Sequence, residues 1–575
     1  MKKILIIIAG VFFTETVIAQ VGINTQNPDP SSALEISSTD QGFLPPRLNY
    51  DQTKAINNPA QGLIVYCTDC IGPQGTLVIF NGEIWSSISD STHDSGSNET
   101  LYPHDPEIDN PPSGFNIFDP NPEVFDNPVS NNVELELMLS KANDLLTSYA
   151  YMVMLAEIAS DNSVKGGESY SDLSTFNEIE DFVYNPTNSA ILNVWNFMYA
   201  GFNRASYAYL KGAQIPDVLP AYLSEALFLK SFYAYNLIEW FGHYPSIDGY
   251  DDNNKPILVH SDLSLRTDKL YEVIEMLYEA ISIAESDGIT SSGRSIIDKN
   301  TMLSFIAKSF VKMGDYGNAF GVTQQIISSG QYGLNPNYQN IFDFRTESSV
   351  FDIDCTDAQY ASWECTLCTQ GNWMSGFQGI RSYNGPEFRS GYGFNIPTQE
   401  SYDSFELNDI RRDVALLDIS DWIFQNPTAS FSQGFQHTGF FNKKYLPRQG
   451  GAELNHPQLT YGNDLKVIRY AEILLLHAET SLRVGNGYEA AAYLNQVRNR
   501  AGLSSIGYND VSIDHIIQER RSEFMGEGKR FFDLVRFGIA SQYISYFQNG
   551  MNEVFPIPHD FIDSVGDLIV QNPGY

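Results

Sequence analysis

Basic residues, cysteine and long hydrophobic runs are all scarce in this sequence of 575 residues. Only 34 lysines and arginines stand against 70 aspartates and glutamates, so the formal net charge is −36. A chain this acidic is repelled by nucleic acid and by anionic lipid, which disfavours both as partners. Beyond the first residues, no stretch approaches the roughly 18 uncharged apolar residues of a membrane-spanning helix. The composition therefore predicts an acidic globular protein without a transmembrane helix.

Sequence signatures of common enzyme classes are also missing. The chain contains no Gly-x-Ser-x-Gly, no His-Glu-x-x-His and no Walker-type phosphate loop. Carboxylates are so abundant that an Asp/Glu pair at glycosidase spacing would carry no information. We therefore predict a protein that is not an enzyme and that uses no cofactor. Oxygen ligands for Ca²⁺ are plentiful, but no loop of the EF-hand type supports a site.

The N-terminus has the features of a secretory signal peptide. Lys2 and Lys3 form a short basic segment, and residues 4–13 are an unbroken small or apolar run, too short to cross a bilayer as a helix. Small residues near Ala19 suit a signal peptidase, so residues 1–19 are predicted to be removed. We therefore expect an exported protein.

Five cysteines remain to be assigned: Cys67, Cys70, Cys355, Cys365 and Cys368. In an exported protein, local disulfides are favoured over metal ligands. We expect one link between Cys67 and Cys70 and one disulfide among the other three. Because the number is odd, at least one thiol stays free or pairs outside the chain.

Residues 20–90 are predicted to form a small β-rich module. Turn signals separate short apolar runs, and Asn81-Gly82 indicates a β-hairpin between Phe80 and Trp85. The string VGINTQNPDP at its start resembles a module at the N-terminus of Bacteroidetes surface proteins and tail-fibre-like adhesins, which implies surface display. Residues 91–130 are rich in Ser, Asp, Asn and Pro, so a semi-extended linker is expected there.

From residue 131 onward the pattern predicts helices. In 464–484 apolar residues recur every three or four positions, which is typical of one helix face. These residues are Ile468, Ala471, Leu475, Ala478 and Leu482. A glycine-containing break at 485–487 separates this helix from a second one with a facing stripe. Residues 303–327 repeat the pattern, and 191–210 with 222–241 give another pair. Such pairs cannot bury their apolar faces alone, so they predict a mainly α, tetratricopeptide-like solenoid with long irregular loops.

The irregular region 335–460 is the best candidate for a ligand-binding site. It is rich in glycine, asparagine and aromatic residues, and a loop this long in a compact domain is either disordered or functional. Flat rings contact the apolar face of a sugar, while amides and charged groups bind its hydroxyls. The candidate rings are Trp363, Trp373, Phe377 and Tyr383, and the candidate hydrogen-bonding groups are Asn372 and Arg381. The alternative is that these rings pack the loop onto the solenoid.

The densest charged block of the chain lies at residues 519–536. It contains Glu519, Arg520, Arg521, Glu523, Glu527, Lys529, Arg530, Asp533 and Arg536. One interpretation is an anion site. The other, which we favour, is an ion-pair network at helix ends, with Lys529–Asp533 and Glu527–Arg530 as pairs along the chain.

Five ordered strings resemble the SusD/RagB family. They are EALFLKSFYAYNLIEWFGHYP at 225–245, GYGFNIPTQESYDSFELNDIRRD at 391–413, RYAEILLLHAETSLRVG within 469–503, QERRSEFMGEGKRFFDLVRFG at 518–538, and FPIPHDFI with QNPGY within 555–575. The resemblance extends over residues 131–575. It implies a SusD-like helical ligand-binding domain.

Members of this family cap SusC-type TonB-dependent barrels and bind glycans or peptides at the cell surface. The resemblance therefore implies a nutrient-capture protein at the extracellular face of the outer membrane, with an oligosaccharide or peptide as ligand. Family members usually carry a lipobox cysteine, but the first cysteine here is Cys67. We therefore expect retention through protein contacts or the 20–90 module. The alternative is a structural accessory subunit of an outer-membrane assembly or secretion complex that keeps the fold without binding nutrients.

Overall fold

The computed structural model describes residues 129–575 apart from 287–296, 344, 357–369, 450–458 and 460. Before residue 129 it describes only short segments between 21 and 87. The chain divides into two compact units, Met1–Phe115 and Asn116–Tyr575. The predicted signal peptide and residues 91–128 of the predicted linker lie outside the described residues. So do Cys70, Trp363, Cys365 and Cys368.

The first unit is β-rich, as predicted. Its strands are β1 (Val21–Ile23), β2 (Leu34–Ile36), β3 (Arg47–Leu48), β4 (Ile64–Cys67), β5 (Thr76–Phe80) and β6 (Trp85–Ser87). Strands β1 and β2 form a parallel pair, and the other four form a sheet in the order β3-β4-β5-β6. Phe80 pairs with Trp85 in the antiparallel arrangement expected around Asn81-Gly82. Val65, Cys67 and Val78 form a small apolar core.

The second unit is mainly helical. Its helices are α1 (Asn132–Asp144), α2 (Tyr149–Ile158), α3 (Ser174–Glu180), α4 (Ser189–Gly212), α5 (Pro220–Phe241), α6 (Arg266–Ser286), α7 (Lys299–Met313), α8 (Tyr316–Ser328), α9 (Asn340–Asp343), α10 (Met374–Phe377), α11 (Gln399–Asp403), α12 (Arg412–Ala415), α13 (Ile419–Gln425), α14 (Tyr470–Arg483), α15 (Gly487–Arg500), α16 (Ile513–Glu523), α17 (Arg530–Arg536), α18 (Ala540–Tyr543) and α19 (His559–Val565). Short 3₁₀ turns lie at Leu145–Ser148, Leu263–Leu265 and Gly566–Leu568.

Short strands join the helical pairs to the loops between them. They are β7 (Ser163–Gly166), β8 (Ile247–Tyr250), β9 (Pro256–Leu258), β10 (Ser349–Ile353), β11 (Phe394–Pro397), β12 (Leu416–Asp418), β13 (Phe440–Asn442) and β14 (Leu465–Arg469). They pair antiparallel as β7 with β11, β8 with β9, β10 with β14 and β12 with β13. The pairing of β7 with β11 attaches the irregular region to the segment that follows α2.

The predicted helical pairs are confirmed, and helix α14 packs against α15, α7 against α8 and α4 against α5. At the turn between α7 and α8, Gly314 has a φ of 76°, which glycine adopts without steric cost. Asp315 then caps α8 by accepting a hydrogen bond from the backbone N–H of Asn318. A glycine that ends one helix, followed by a capping residue that begins the next, gives the stacked helical pairs of a solenoid.

One boundary prediction was wrong. Residues 465–469, which include Ile468, form strand β14 and not the first turn of a helix. Backbone pairing with β10, for example Ile353 with Leu465, determines the conformation of this segment. A short apolar run of this kind does not reveal from its own pattern whether it is a strand or a helix.

Many aromatic rings pack against one another in the core of the second unit. Trp195 is stacked on Tyr199, with ring centroids 5.7 Å apart, and Trp240 is stacked on Phe555 at 4.8 Å. A separate apolar cluster within residues 380–446 includes Tyr383, Phe388 and Phe441.

None of the helices within the described ranges is both long enough and apolar enough to cross a membrane.

Candidate ligand-binding surface

The candidate surface is built where β7 meets β11, and glycines allow the backbones to approach there. A side chain at Gly166 would lie 2.3 Å from the carbonyl oxygen of Gly393, and one at Gly434 would lie 2.3 Å from that of Gly167. The N–H of Gly167 donates to the carbonyl of Gly393 at 2.7 Å, and the N–H of Phe435 donates to that of Gly167 at 2.9 Å. These contacts bring three segments that are distant in the sequence into one surface.

Two aromatic pairs lie along this junction. Tyr170 is 62% exposed and meets Phe435 edge to face, with ring centroids 5.9 Å apart. Half-buried Phe377 lies 5.7 Å from the half-buried ring of Tyr392. Buried Phe394 connects the pairs, because its ring lies 5.8 Å from Phe377 and 5.9 Å from the Lys165 ammonium, which is also 5.4 Å from the Phe435 ring.

Lys165 fixes the turn that presents Tyr170. It lies on β7, and its ammonium donates to the carbonyl of Ser169 at 2.8 Å and to that of Tyr170 at 3.3 Å. Burial lowers the pKa of Lys165, while Asp172 and Glu180 oppose this effect. Lys165 therefore fixes the backbone of the loop that carries Tyr170. The exposed Tyr170 ring remains accessible to a ligand.

A charged pair lies beside the rings. The guanidinium of Arg381 is 2.8 Å from a carboxylate oxygen of Glu168, and the two side chains are 20% and 66% exposed. An exposed carboxylate and a partly exposed guanidinium next to one exposed ring and three half-buried rings match the hydroxyl edge and the apolar face of a sugar. We call Glu168, Tyr170, Phe377, Arg381, Tyr392 and Phe435 the aromatic surface.

The structure separates the sequence-predicted site residues into two groups. Phe377 and Arg381 lie on the aromatic surface, and their contact with a ligand stays a prediction. Trp373 is only 1% exposed and packs between Tyr151 and Phe377, so it supports the neighbouring ring from below and does not present its own face.

Asn372 and Tyr383 are also buried. The side-chain amide of Asn372 donates to the carbonyl of Asn463 at 3.0 Å. The Tyr383 hydroxyl donates to the carbonyl of Pro386 and accepts from the indole N–H of Trp422, each at 2.8 Å. For these two residues and Trp373 the packing alternative fits the structure, because all three side chains are buried beneath the surface.

The described cysteines are partly assigned. Cys67 is disulfide-bonded and fully buried. Cys355 is a free thiol, and burial raises its pKa. The loop disulfide predicted among the three later cysteines is therefore left to Cys365 and Cys368, which lie outside the described residues.

The charged block at 519–536 is a buried ion-pair network, as favoured, but its partners are different from those predicted. Arg530 pairs with Asp161 at 2.7 Å, and the ammonium of Lys529 donates to the carbonyl of Val467 at 2.8 Å. Glu527 binds Lys444 and Arg469. Residues 524–528 form a turn, which takes Glu527 out of helical register with Arg530. Lys529 keeps the helical spacing to Asp533, but the Asp533 carboxylate is bound by Arg520 and Arg536.

Sequence reasoning missed Tyr170, Phe435 and Glu168. A local signal was present, because Glu168 follows Gly166-Gly167 and Phe435 follows Gly434. A glycine in a strand often marks a place where another backbone or a ligand approaches closely. Which of these turns meet in space depends on the pairing of β7 with β11, and the local pattern does not encode that pairing.

Comparisons with known proteins agree with this architecture. The model of the SusD family matches residues 418–554, and the model of a phage tail like trimerisation region matches residues 22–100. SusD-like protein P2 of Formosa agariphila is 24% identical over 435 residues, which cover 69% of this chain and 83% of that relative.

Solved structures resemble the chain over most of its length. A laminarin binding SusD-like protein is 28% identical with a TM-score of 0.70, covering 78% of this chain and 100% of that one. Surface glycan-binding protein A from Bacteroides thetaiotaomicron, in complex with laminarihexaose, is 25% identical with a TM-score of 0.67, covering 77% and 99%. The chain therefore has a SusD-like fold. The family model, the curated relative and these structures together support the SusD/RagB resemblance.

Proposed function

We propose that the protein captures a glycan at the cell surface and that the aromatic surface is its binding site. The observation that carries this proposal is the exposed Tyr170 ring beside the Arg381–Glu168 pair. The similarity to a laminarin binding SusD-like protein supports a glycan over a peptide. A binding protein, and not an enzyme, is the function that this similarity favours.

Calorimetric titration tests the proposal. The exported chain would be titrated with laminarihexaose, with other hexasaccharides of different linkage, and with a peptide library. We expect one oligosaccharide class to bind saturably and the peptides not to bind. Binding of peptides alone, or of no ligand at all, would overturn the proposal.

The proposed partner is a SusC-type TonB-dependent barrel, which the helical unit would cap during uptake. The SusD/RagB resemblance of the helical unit supports this partner. A pull-down from outer membranes tests it, with recovery of a TonB-dependent barrel as the expected result. Recovery of assembly or secretion machinery without a barrel would favour a structural accessory subunit.

The first unit supports a second proposal, which is that three copies of the chain assemble through it. The observation behind this proposal is the match of residues 22–100 to a phage tail like trimerisation region. Three tethered binding sites would hold a polymeric glycan more tightly than one site, because later contacts form at a high effective concentration. Light scattering should give a trimer for the full chain and a monomer after deletion of residues 21–90. A monomeric full chain would contradict this assembly.

A further inference from the structure

A small cavity lies in the helical unit, and its lining shares no residue with the aromatic surface. Its volume is about 50 Å³, and helices α2, α5, α7, α14, α16 and α17 line it. Pockets for drug-sized ligands measure roughly 300–1,000 Å³, so a sugar ring does not fit. The cavity has room for roughly three to five water molecules, or for one small polyatomic ion.

The lining of this cavity carries an excess of positive charge, although the chain as a whole is acidic. Five cationic side chains line it: Lys308, Lys312, Arg520, Lys529 and Arg536. Only three carboxylates accompany them: Glu239, Glu472 and Asp533. Further out, Glu479 pairs with Arg536, and buried Arg266 lies near both Glu239 and Glu553, so these outer groups add one positive and two negative charges. Buried charges are normally compensated by partners. Here the protein leaves part of the positive charge uncompensated.

The cations around Glu472 do not close on it. The ammonium groups of Lys308 and Lys529 each lie 3.5 Å from a Glu472 oxygen, and the nearest guanidinium nitrogen of Arg520 lies at 3.9 Å. Charge-assisted hydrogen bonds are normally about 2.7–2.9 Å long. Three cations therefore surround the Glu472 carboxylate, but each lies too far from it for a close hydrogen bond. This leaves space between the carboxylate and the three cationic groups.

Two arginines that line the cavity each carry an unpaired donor. The Nε atoms of Arg520 and Arg536 both donate to the carboxylate of Asp533, each at 2.8 Å. Asp533 thereby holds the two guanidinium groups side by side. Nη1 of Arg520 and Nη2 of Arg536 are buried and have no hydrogen-bond partner, and the Arg520 side chain is only 4% exposed. A buried donor without a partner is destabilising, and more so when it is charged. Oε2 of Glu472, which lines the same cavity, is also buried without a hydrogen-bond partner. The cavity therefore calls for a group that accepts from the two arginines and can donate to this carboxylate, as a hydrogen phosphate ion can.

We propose that the cavity is a binding site for one small tetrahedral oxyanion of the phosphate or sulfate class. Guanidinium forks match the geometry of such oxyanions, and the lysines add point charges. One anion would accept from both free arginine donors and offset the excess charge. It would also link the lysines of α7 to the arginines of α16 and α17, so it would act as a structural ligand of the solenoid.

The test uses the full exported chain after exhaustive dialysis into chloride buffer. Phosphate, sulfate or additional chloride is then added at low millimolar concentration and equal ionic strength, and the melting temperature is recorded. We expect phosphate, sulfate or both to raise the melting temperature until the site is saturated. The anion that gives the larger increase at equal concentration is the preferred one. Crystals grown in selenate, a sulfate analogue, should show an anomalous peak between Arg520 and Arg536. Equal melting temperatures in all three salts, or only water in the cavity, would overturn the proposal.

Variants show whether the anion binds at this cavity. Arg520→Lys and Arg536→Lys each keep the charge but remove one free donor, so each should weaken the anion at least about tenfold. Arg483→Lys, an exposed arginine at the end of α14, is the matched control and should not change the affinity. Equal weakening in all three variants, or in none, would contradict the site. If the two cavity variants fail to fold, the selenate map of the unaltered protein still decides the question.

Discussion

The charged block at 519–536 and the aromatic surface differ in what their polar groups contact. Glu523 in the block is fully buried and accepts hydrogen bonds from Arg411, Arg469 and Arg500 at 2.6–3.0 Å. On the aromatic surface, Tyr170 is 62% exposed and Glu168 is 66% exposed. The densest charge in the sequence therefore holds the fold together, whereas the groups available to a ligand are few and scattered along the chain.

The largest effect is expected from breaking the buried network. Glu523→Gln leaves three arginines without their shared counter-charge, and removal of one partner from a buried ion cluster costs about 3–5 kcal/mol. Urea unfolding followed by tryptophan fluorescence measures this change in the free energy of unfolding.

Asp413→Asn is the matched control. Asp413 is 72% exposed and pairs with Arg412 at 2.9 Å, and an exposed pair contributes less than about 1 kcal/mol. If the two variants lose similar stability, the block does not have the role assigned to it.

Acid should weaken the same network through Glu472. Burial raises the pKa of Glu472, but Lys308, Lys529 and Arg520 outweigh this and hold it at about 2, below its ordinary value of 4.5. Because the folded pKa is the lower one, this stability is present above pH 4.5 and is lost as the pH falls from about 5 to about 2. The shift corresponds to about 3 kcal/mol. In chloride buffer, the Glu472→Gln variant should show a shallower loss of stability over this pH range. Identical slopes would count against the ion pairs around Glu472.

The fold was more predictable from sequence than the binding surface. Helical pairs repeat an apolar stripe, so α7 with α8 and α14 with α15 follow from local patterns. Strand β14 does not, because its conformation depends on pairing with β10. Phe377 and Arg381 lie in the aromatic loop that was predicted, whereas Tyr170 and Phe435 join them only through the contacts of Gly167 and Gly434. Burial of Trp373 could not be predicted from the sequence, because the residue type alone does not show whether a tryptophan packs in the core or binds a ligand.

A smaller effect, confined to ligand affinity, is expected at the aromatic surface. Tyr170→Ala removes an exposed ring, so the affinity for an oligosaccharide should fall about tenfold, or about 1.4 kcal/mol. The melting temperature should not change, because the ring has little buried area to lose. Tyr488→Ala, on a ring that is 74% exposed on α15, is the control and should bind normally. Equal affinities of the two variants would remove Tyr170 from the site.

The smallest effect is expected from Arg381→Lys. The change keeps the charge next to Glu168 but removes the planar fork that binds two acceptors at once. We expect a few-fold loss of affinity and unchanged stability in the same titrations. If the affinity for the oligosaccharide does not change, Arg381 is not part of the binding site, and the aromatic rings alone would form it.

Hydrogen exchange with and without the tightest-binding oligosaccharide tests the central claim most directly. The claim is that ligand contacts lie on the aromatic surface and not in the charged block. Exchange should slow in peptides that cover residues 166–172, 374–394 and 430–437, while α14 to α17 remain unchanged. Slower exchange confined to α14–α17, or no change in those three segments at saturating ligand, would contradict the account.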